Sequence, residues 1–282
     1  MVVDICGVNY REIDMDIKDR VIVVTGAASG IGKSLVKIFY KHGAKHVVSA
    51  DVNIDGINKV ANEYGGTAMR CDVSREGDIA RVIRTTEREI GPISIFCSNA
   101  GIGHLGGIEV PNDDWQKIWE INLMSHVWAA RHLVPLMEKR GEGYLLNTAS
   151  AAGLLSQVGD ASYSTTKHAA IGLGEWLAFS YAKKGIKVSM LCPQGVRTAM
   201  TDGLDPELAV AMKDGMLEPD DVAEECVKTI NEERFLVLPH PVVEKYIQYK
   251  TSDYDGWIAG MAKLNERFRV LGFRLRGRIS PS

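Results

Sequence analysis

Five residues, Val21-Ile22-Val23-Val24-Thr25, lead directly into Gly26-Ala27-Ala28-Ser29-Gly30-Ile31-Gly32. An apolar, β-branched run without polar alternation fits a strand buried on both faces, as in parallel sheets covered by helices. Glycines after such a strand let the backbone turn sharply and approach a ligand closely. A helical pattern over residues 31–41, ended by Gly43, completes the unit. A parallel neighbour can be reached only by a crossover, so this opening commits the chain to alternating strands and helices.

The alternation continues to the end of the chain. Strand patterns cover residues 46–51, 67–72, 93–98, 144–149, 186–192 and 235–239. Helical patterns cover 55–64, 75–90, 113–139, 161–184 and 220–232, with Gly65-Gly66 and Gly91-Pro92 as breaks between elements. Seven strands interleaved with helices predict an α/β fold: a single Rossmann-like, doubly wound parallel sheet with helices on both faces. No linker or internal repeat divides the chain, so one domain is expected over 1–282. Its core would span about 20–238, with a C-terminal extension over 239–282. Residues 1–18 read as an irregular lead-in, and the methionine-rich stretch 198–217 as a short helical lid.

Composition narrows the function. The 282 residues are 45% hydrophobic and 24% charged, with a net charge of −3, which gives no electrostatic basis for holding nucleic acid or an anionic membrane. No apolar run reaches the length of a transmembrane helix, and the N-terminus lacks a secretory pattern. Cys6, Cys71, Cys97, Cys192 and Cys226 are odd in number and lack C-x-x-C spacing, so they read as reduced thiols of a cytoplasmic protein. The seven histidines form no cluster of metal spacing, and no metal site is expected.

The glycine loop has a partner. Asp51 ends the next strand, 19 residues past Gly32, where a carboxylate can accept the ribose hydroxyls of a dinucleotide and repel a 2′-phosphate. Ser29 is not basic and Lys33 reads as a solvated helix lysine, so NAD is expected over NADP. A second constellation lies downstream. Ser150 follows the 144–149 strand, and Tyr163 and Lys167 lie one turn apart on the following helix. Tyr-x3-Lys also occurs at Tyr246 and Lys250, which read as an ordinary helix face.

Taken together, TGAASGIG at 25–32, Asp72-Val73, Asn99-Ala100-Gly101, Asn122, Ser150 and Tyr163-x3-Lys167 resemble the short-chain dehydrogenase/reductase family over roughly residues 20–238. The resemblance implies a nicotinamide cofactor and reversible oxidation of an alcohol to a carbonyl. It assigns the cofactor to Gly26, Ser29, Gly30, Ile31, Gly32, Asp51, Val52, Asp72, Val73, Asn99, Ala100, Gly101, Tyr163, Lys167, Pro193, Val196 and Thr198. Asp72 and Val73 would meet the adenine, and Thr198 the nicotinamide end. Asn122 would bind a water linking Lys167 to solvent. Catalysis would fall to Asn122, Ser150, Tyr163 and Lys167, with Ser150 and Tyr163 also holding the substrate. The sequence departs from the family at Gln194, where glycine is usual. The family also implies a homodimer or homotetramer.

The chemistry follows from the residue types. A free phenol titrates about three units above neutral pH, so Tyr163 needs nearby positive charge, from Lys167 and an oxidised nicotinamide, to act as a base. Leu154, Leu155, Gln157, Met200 and Met216 flank the expected pocket and point to a small or medium apolar substrate, ring-containing ones included, and His104 is a further candidate lining residue. Two other readings stay open: a nucleotide-sugar epimerase or dehydratase, and a non-enzymatic dinucleotide-binding protein. Arg267, Arg269, Arg274, Arg276 and Arg278 stud the tail, which reads either as solvated or neighbour-packed, or as a contact for an anionic surface or a subunit's pocket.

Overall fold

The computed structural model describes residues 15–202 and 212–276, with side chains as far as residue 267. Cys6, residues 203–211 of the expected lid and Arg278 lie outside the described residues, as do the side chains of Arg269, Arg274 and Arg276. Seven parallel strands form one sheet: β1 (Val21–Thr25), β2 (His46–Asp51), β3 (Thr67–Arg70), β4 (Ile93–Ser98), β5 (Gly143–Thr148), β6 (Ile186–Leu191) and β7 (Leu236–Val237). Their spatial order is β3-β2-β1-β4-β5-β6-β7, as expected for a doubly wound α/β domain. The order reverses between β1 and β4, and a cleft opens beyond the C-terminal ends of neighbouring strands at such a point.

Helices cover both faces. α1 (Gly30–Lys41), α2 (Ile54–Tyr64) and α8 (Pro219–Asn231) bury Leu35, Ile57 and Val222 in one apolar layer. α3 (Glu76–Glu89), α5 (Ser125–Arg140) and α7 (Ala161–Tyr181) bury Ile83, Leu133 and Ala170 in the other. The strands between are almost entirely enclosed, which explains the unbroken apolar runs in the sequence: every residue of β1 and β5 is buried.

Three elements differ from expectation. The 113–139 pattern is α4 (Asn112–Trp119) and α5 joined by a π-helical turn, Glu120–Met124, whose wider spacing apolar periodicity does not encode. The last strand is only two residues long, and the chain then turns at His240 into α9 (Val242–Ser252). The expected ordinary face of Tyr246 and Lys250 belongs to this helix and docks on the domain. Lys250 donates to the Leu154 carbonyl at 2.6 Å, in the short helix α6 (Ala152–Leu155), and the Tyr246 hydroxyl reaches Asp214 Oδ1 at 3.2 Å. α10 (Tyr254–Arg276) follows.

Ile95 sits at the sheet centre with no exposed surface. Truncation to alanine should lower the unfolding free energy in urea by about 2–5 kcal/mol, the range for emptying a buried isoleucine site; a loss below ~0.5 kcal/mol would contradict the packing described.

Candidate functional site

The β1–α1 turn is shaped by close approach. Gly26 has φ +68°, and a Cβ there would fall 2.8 Å from the Ala100 Cα. A Cβ on Gly32 would fall 2.1 Å from the Gly26 carbonyl oxygen, so the helix can begin this near the turn only without a side chain. The bare backbone and the N-terminus of α1 leave a cradle that fits a pyrophosphate. Asp51 completes it: Oδ2 accepts the Ala28 N–H at 3.1 Å and Oδ1 the Asn53 N–H at 2.9 Å. Its carboxylate is thus tied to the glycine loop while still facing the cleft. Lys33, which could have countered it, pairs with Glu63 at 2.9 Å.

A polar bracket joins the ends of β1, β4 and β5. Thr25 Oγ1 donates to the Cys97 carbonyl and accepts the Asn99 N–H at 2.9 Å. Asn99 Nδ2 donates to the Thr25 carbonyl, and its Oδ1 accepts from Thr148 Oγ1 at 3.1 Å.

Asp160, which the sequence reading passed over, ties the glycine-rich loop after β4 to α7. Its Oδ1 accepts the Tyr163 N–H at 2.9 Å, capping the helix, and its Oδ2 accepts the His104 N–H at 2.9 Å. Burial pushes its carboxyl up, and the two backbone N–H bonds pull against that. The signal was present, since an aspartate two residues before a helix's first serine is a capping candidate. That it also serves a loop more than fifty positions away is a tertiary fact.

Ser150, Tyr163 and Lys167 meet in one cleft of about 1330 Å³. Ser150 is at the end of β5, and its Oγ accepts the Ala152 N–H at 3.1 Å. Lys167, 2% exposed, donates to the Thr148 carbonyl at 2.8 Å and lies 5.5 Å from the Tyr163 ring centroid. Desolvation lowers the Lys167 ammonium to about 8. The Tyr163 phenol, by contrast, is pushed up by burial, against the pull of the Ser150 hydroxyl. The depression expected from Lys167 together with an oxidised nicotinamide belongs to the cofactor-bound site; in the protein by itself desolvation sets the direction.

Of the residues expected to hold cofactor or substrate, all but one line this same cleft: Ser29, Gly26, Gly30 and Ile31 in the turn, Asp51, Val52, Asp72 and Val73 on one side, and Asn99, Ala100 and Gly101 in the centre, with Ser150, Tyr163, Lys167, Pro193, Val196 and Thr198 beyond. Gly32 stands behind the turn. Asn122, expected among the catalytic residues, is fully buried behind the wall. It accepts the Ile102 N–H and donates to the Ile102 carbonyl, both at 2.9 Å, and reaches Thr166 at 3.2 Å. Its side chain braces the 101–107 loop against α7.

His104, Leu155, Gln157 and Met200 line the cleft, whereas Leu154 and Met216 do not. Gln194 lines it too, donating from Nε2 to Asp214 at 3.2 Å and from its backbone to His240 Nδ1 at 3.2 Å. The largest omission is the wall supplied by α9 and α10, where Tyr246, Tyr249, Trp257, Met261 and Leu264 face the cleft. Nothing local marks these as site residues, because their position depends on how the extension folds back. Among the described residues no helix is long and apolar enough to cross a membrane, and no three His, Cys, Asp or Glu side chains gather as for a metal ion.

Known proteins agree with this architecture. A family model described as short chain dehydrogenase matches residues 20–209. Short chain aldehyde dehydrogenase 1 of Euphorbia lathyris is 35% identical over 71% of this chain and 74% of its own. The 1-deoxy-11-beta-hydroxypentalenate dehydrogenase of Streptomyces exfoliatus is 34% identical over 79% of this chain and 84% of its own. Among solved structures, a short chain dehydrogenase/reductase from Burkholderia phymatum in complex with NAD superposes with a TM-score of 0.78 at 26% identity, covering 86% of this chain and 96% of that one. With its sheet order, its glycine turn and this breadth of likeness, the chain belongs to the short-chain dehydrogenase/reductase family, oxidoreductases that bind a nicotinamide dinucleotide.

Proposed function

We propose that this protein transfers a hydride between NAD(H) and a secondary alcohol or ketone with an apolar body. The observation that carries this reading is the single cleft shared by the Asp51 cradle and the Ser150–Tyr163–Lys167 set. Asp51 supports NAD over NADP, because its anchored carboxylate would meet a 2′-phosphate with like charge, and Lys33 at the start of α1 is already paired with Glu63. The bound nicotinamide would supply the hydride acceptor and a positive ring.

Within that setting, Ser150 donates its hydroxyl to the substrate oxygen and stabilises the charge that grows there. Tyr163 takes the alcohol proton in oxidation and returns one in reduction. Lys167 stabilises the negative charge that forms on the phenol and would hold the cofactor ribose. Its ammonium and the positive ring of a bound oxidised nicotinamide would together offset the burial that holds the phenol up. Asp160 and Asn122 are positioning residues, one fixing the start of α7 and the other the loop opposite.

The cleft wall of Leu155, Met200, Trp257 and Leu264 supports an apolar substrate of small to medium size, including ring compounds. The exposed Trp176 and Phe179 of α7 support assembly as a homodimer or homotetramer. Cys71, Cys97, Cys192 and Cys226 are free and buried, which suits a reducing compartment.

Tyr163→Phe should cut turnover by about 10²–10⁴-fold, the usual worth of a general acid–base group, while leaving NADH affinity within about twofold. Stopped-flow turnover and fluorescence titration read the two quantities, and full turnover in the variant would refute the role. Asp51→Ser should raise NADPH affinity relative to NADH by at least about tenfold, as expected when a like-charge contact is removed. An unchanged ratio would refute the assignment of Asp51.

A further inference from the structure

We propose that the C-terminal extension gives the cleft an anion subsite, built from Lys263 and Arg267 of α10 with Lys213, that selects substrates whose apolar body ends in a carboxylate. The inference rests on the proposed reading of the cleft as an alcohol or ketone site and names the class of molecule that fills it.

Three observations support it. First, α10 turns one face to the cleft in two zones. Trp257, Met261 and Leu264 are its apolar contribution, while Lys263 and Arg267, one turn apart, are cationic and also line the cleft. Second, the polarity of the helix relative to the chemistry is fixed. Trp257 packs against the cluster of Ala151, Leu155 and Val243, so the N-terminal end of α10 lies on the side of the cleft where β5 ends. Arg267 is ten residues further on, on the order of 15 Å along the axis at 1.5 Å per residue. A substrate with its carbinol carbon at Ser150 and Tyr163 would carry its other end toward the cations.

Third, no ion pair engages Lys213, Lys263 or Arg267 among the described residues, and all three are exposed. The cleft's own carboxylates accept hydrogen bonds from neutral groups, Asp72 from Ser74 among them, rather than pairing with these cations. Asp214 accepts from Tyr246 and Gln194, Asp160 from Tyr163 and His104, and Asp51 from Ala28 and Asn53. Lys263 and Arg267, one turn apart on α10, suit a carboxylate by charge-assisted hydrogen bonds, and Lys213 lines the same cleft. The phosphates of the dinucleotide offer the same chemistry, and the experiment separates the two.

Decanoate and the neutral decanamide are titrated calorimetrically into the full-length protein, with and without saturating NADH. Decanoate should bind about tenfold more tightly than decanamide, one charge-assisted contact's worth, and the gap should narrow at high salt. In the Lys263→Ala/Arg267→Ala double variant the two ligands should bind alike, with decanamide and NADH affinities within about twofold of the parent. Equal binding of the two ligands by the parent, failure of decanoate to bind, or a gap that survives in the double variant would each overturn the subsite. A matching loss of NADH affinity would assign the cations to the cofactor and overturn it as well. The readout is binding without turnover, so failure of the hydride-transfer reading leaves this result standing, and the reverse holds too.

Discussion

An ammonium taken out of water must be held, and Lys167 is held by the carbonyl of Thr148, the last residue of β5. That one hydrogen bond ties the end of a central strand to the helix carrying Tyr163. Removing the charge from solvent is costly, as the lowered Lys167 value near 8 records. The surrounding structure sustains that cost: strands enclosed on both faces give a rigid edge, and α7 is anchored at its start by Asp160. A poised, poorly solvated cation beside a phenol is what proton transfer at moderate pH requires. The protein's stability and its chemistry therefore draw on the same contacts.

The floor of the cleft is a set of short polar links between neighbouring strand ends. Thr25, Asn99 and Thr148 connect β1, β4 and β5 where the strand order reverses. Asn122 and Asp160 fasten the loop after β4 from two sides, one through Ile102 and the other through His104. The π turn that carries Asn122 widens the helix there and lets its amide meet a main chain rather than the next turn of its own helix. Each link is worth only about 1 kcal/mol net, yet together they fix positions that catalysis needs fixed.

Much of this was legible in the residues. The five enclosed residues of β1 announced a parallel sheet, and Gly26 and Gly32 announced a turn that only glycine can make so tightly. The spacing of Ser150, Tyr163 and Lys167 places three polar groups together at the C-terminal ends of the strands. What stayed hidden depends on contacts between distant segments. Asp160 looks like any helix cap until its second oxygen meets His104. Tyr246 and Lys250 repeat a catalytic spacing yet serve to dock α9 on Leu154 and Asp214. The wall formed by α10 has no local signature, because an amphipathic helix does not state what it will face. The burial that raises the Tyr163 phenol in the protein by itself was also out of reach, since it depends on the folded site.

The central claim is that this cleft moves a hydride between an alcohol carbon and a nicotinamide. It is tested most directly by isotope tracing. Racemic decan-2-ol bearing deuterium on its carbinol carbon is incubated with the protein and NAD, and the cofactor is analysed by mass spectrometry. The account predicts NADH that is heavier by one deuterium, formed more slowly than with unlabelled alcohol. NADH carrying no deuterium, or none formed from this or any other secondary alcohol tried, would contradict it.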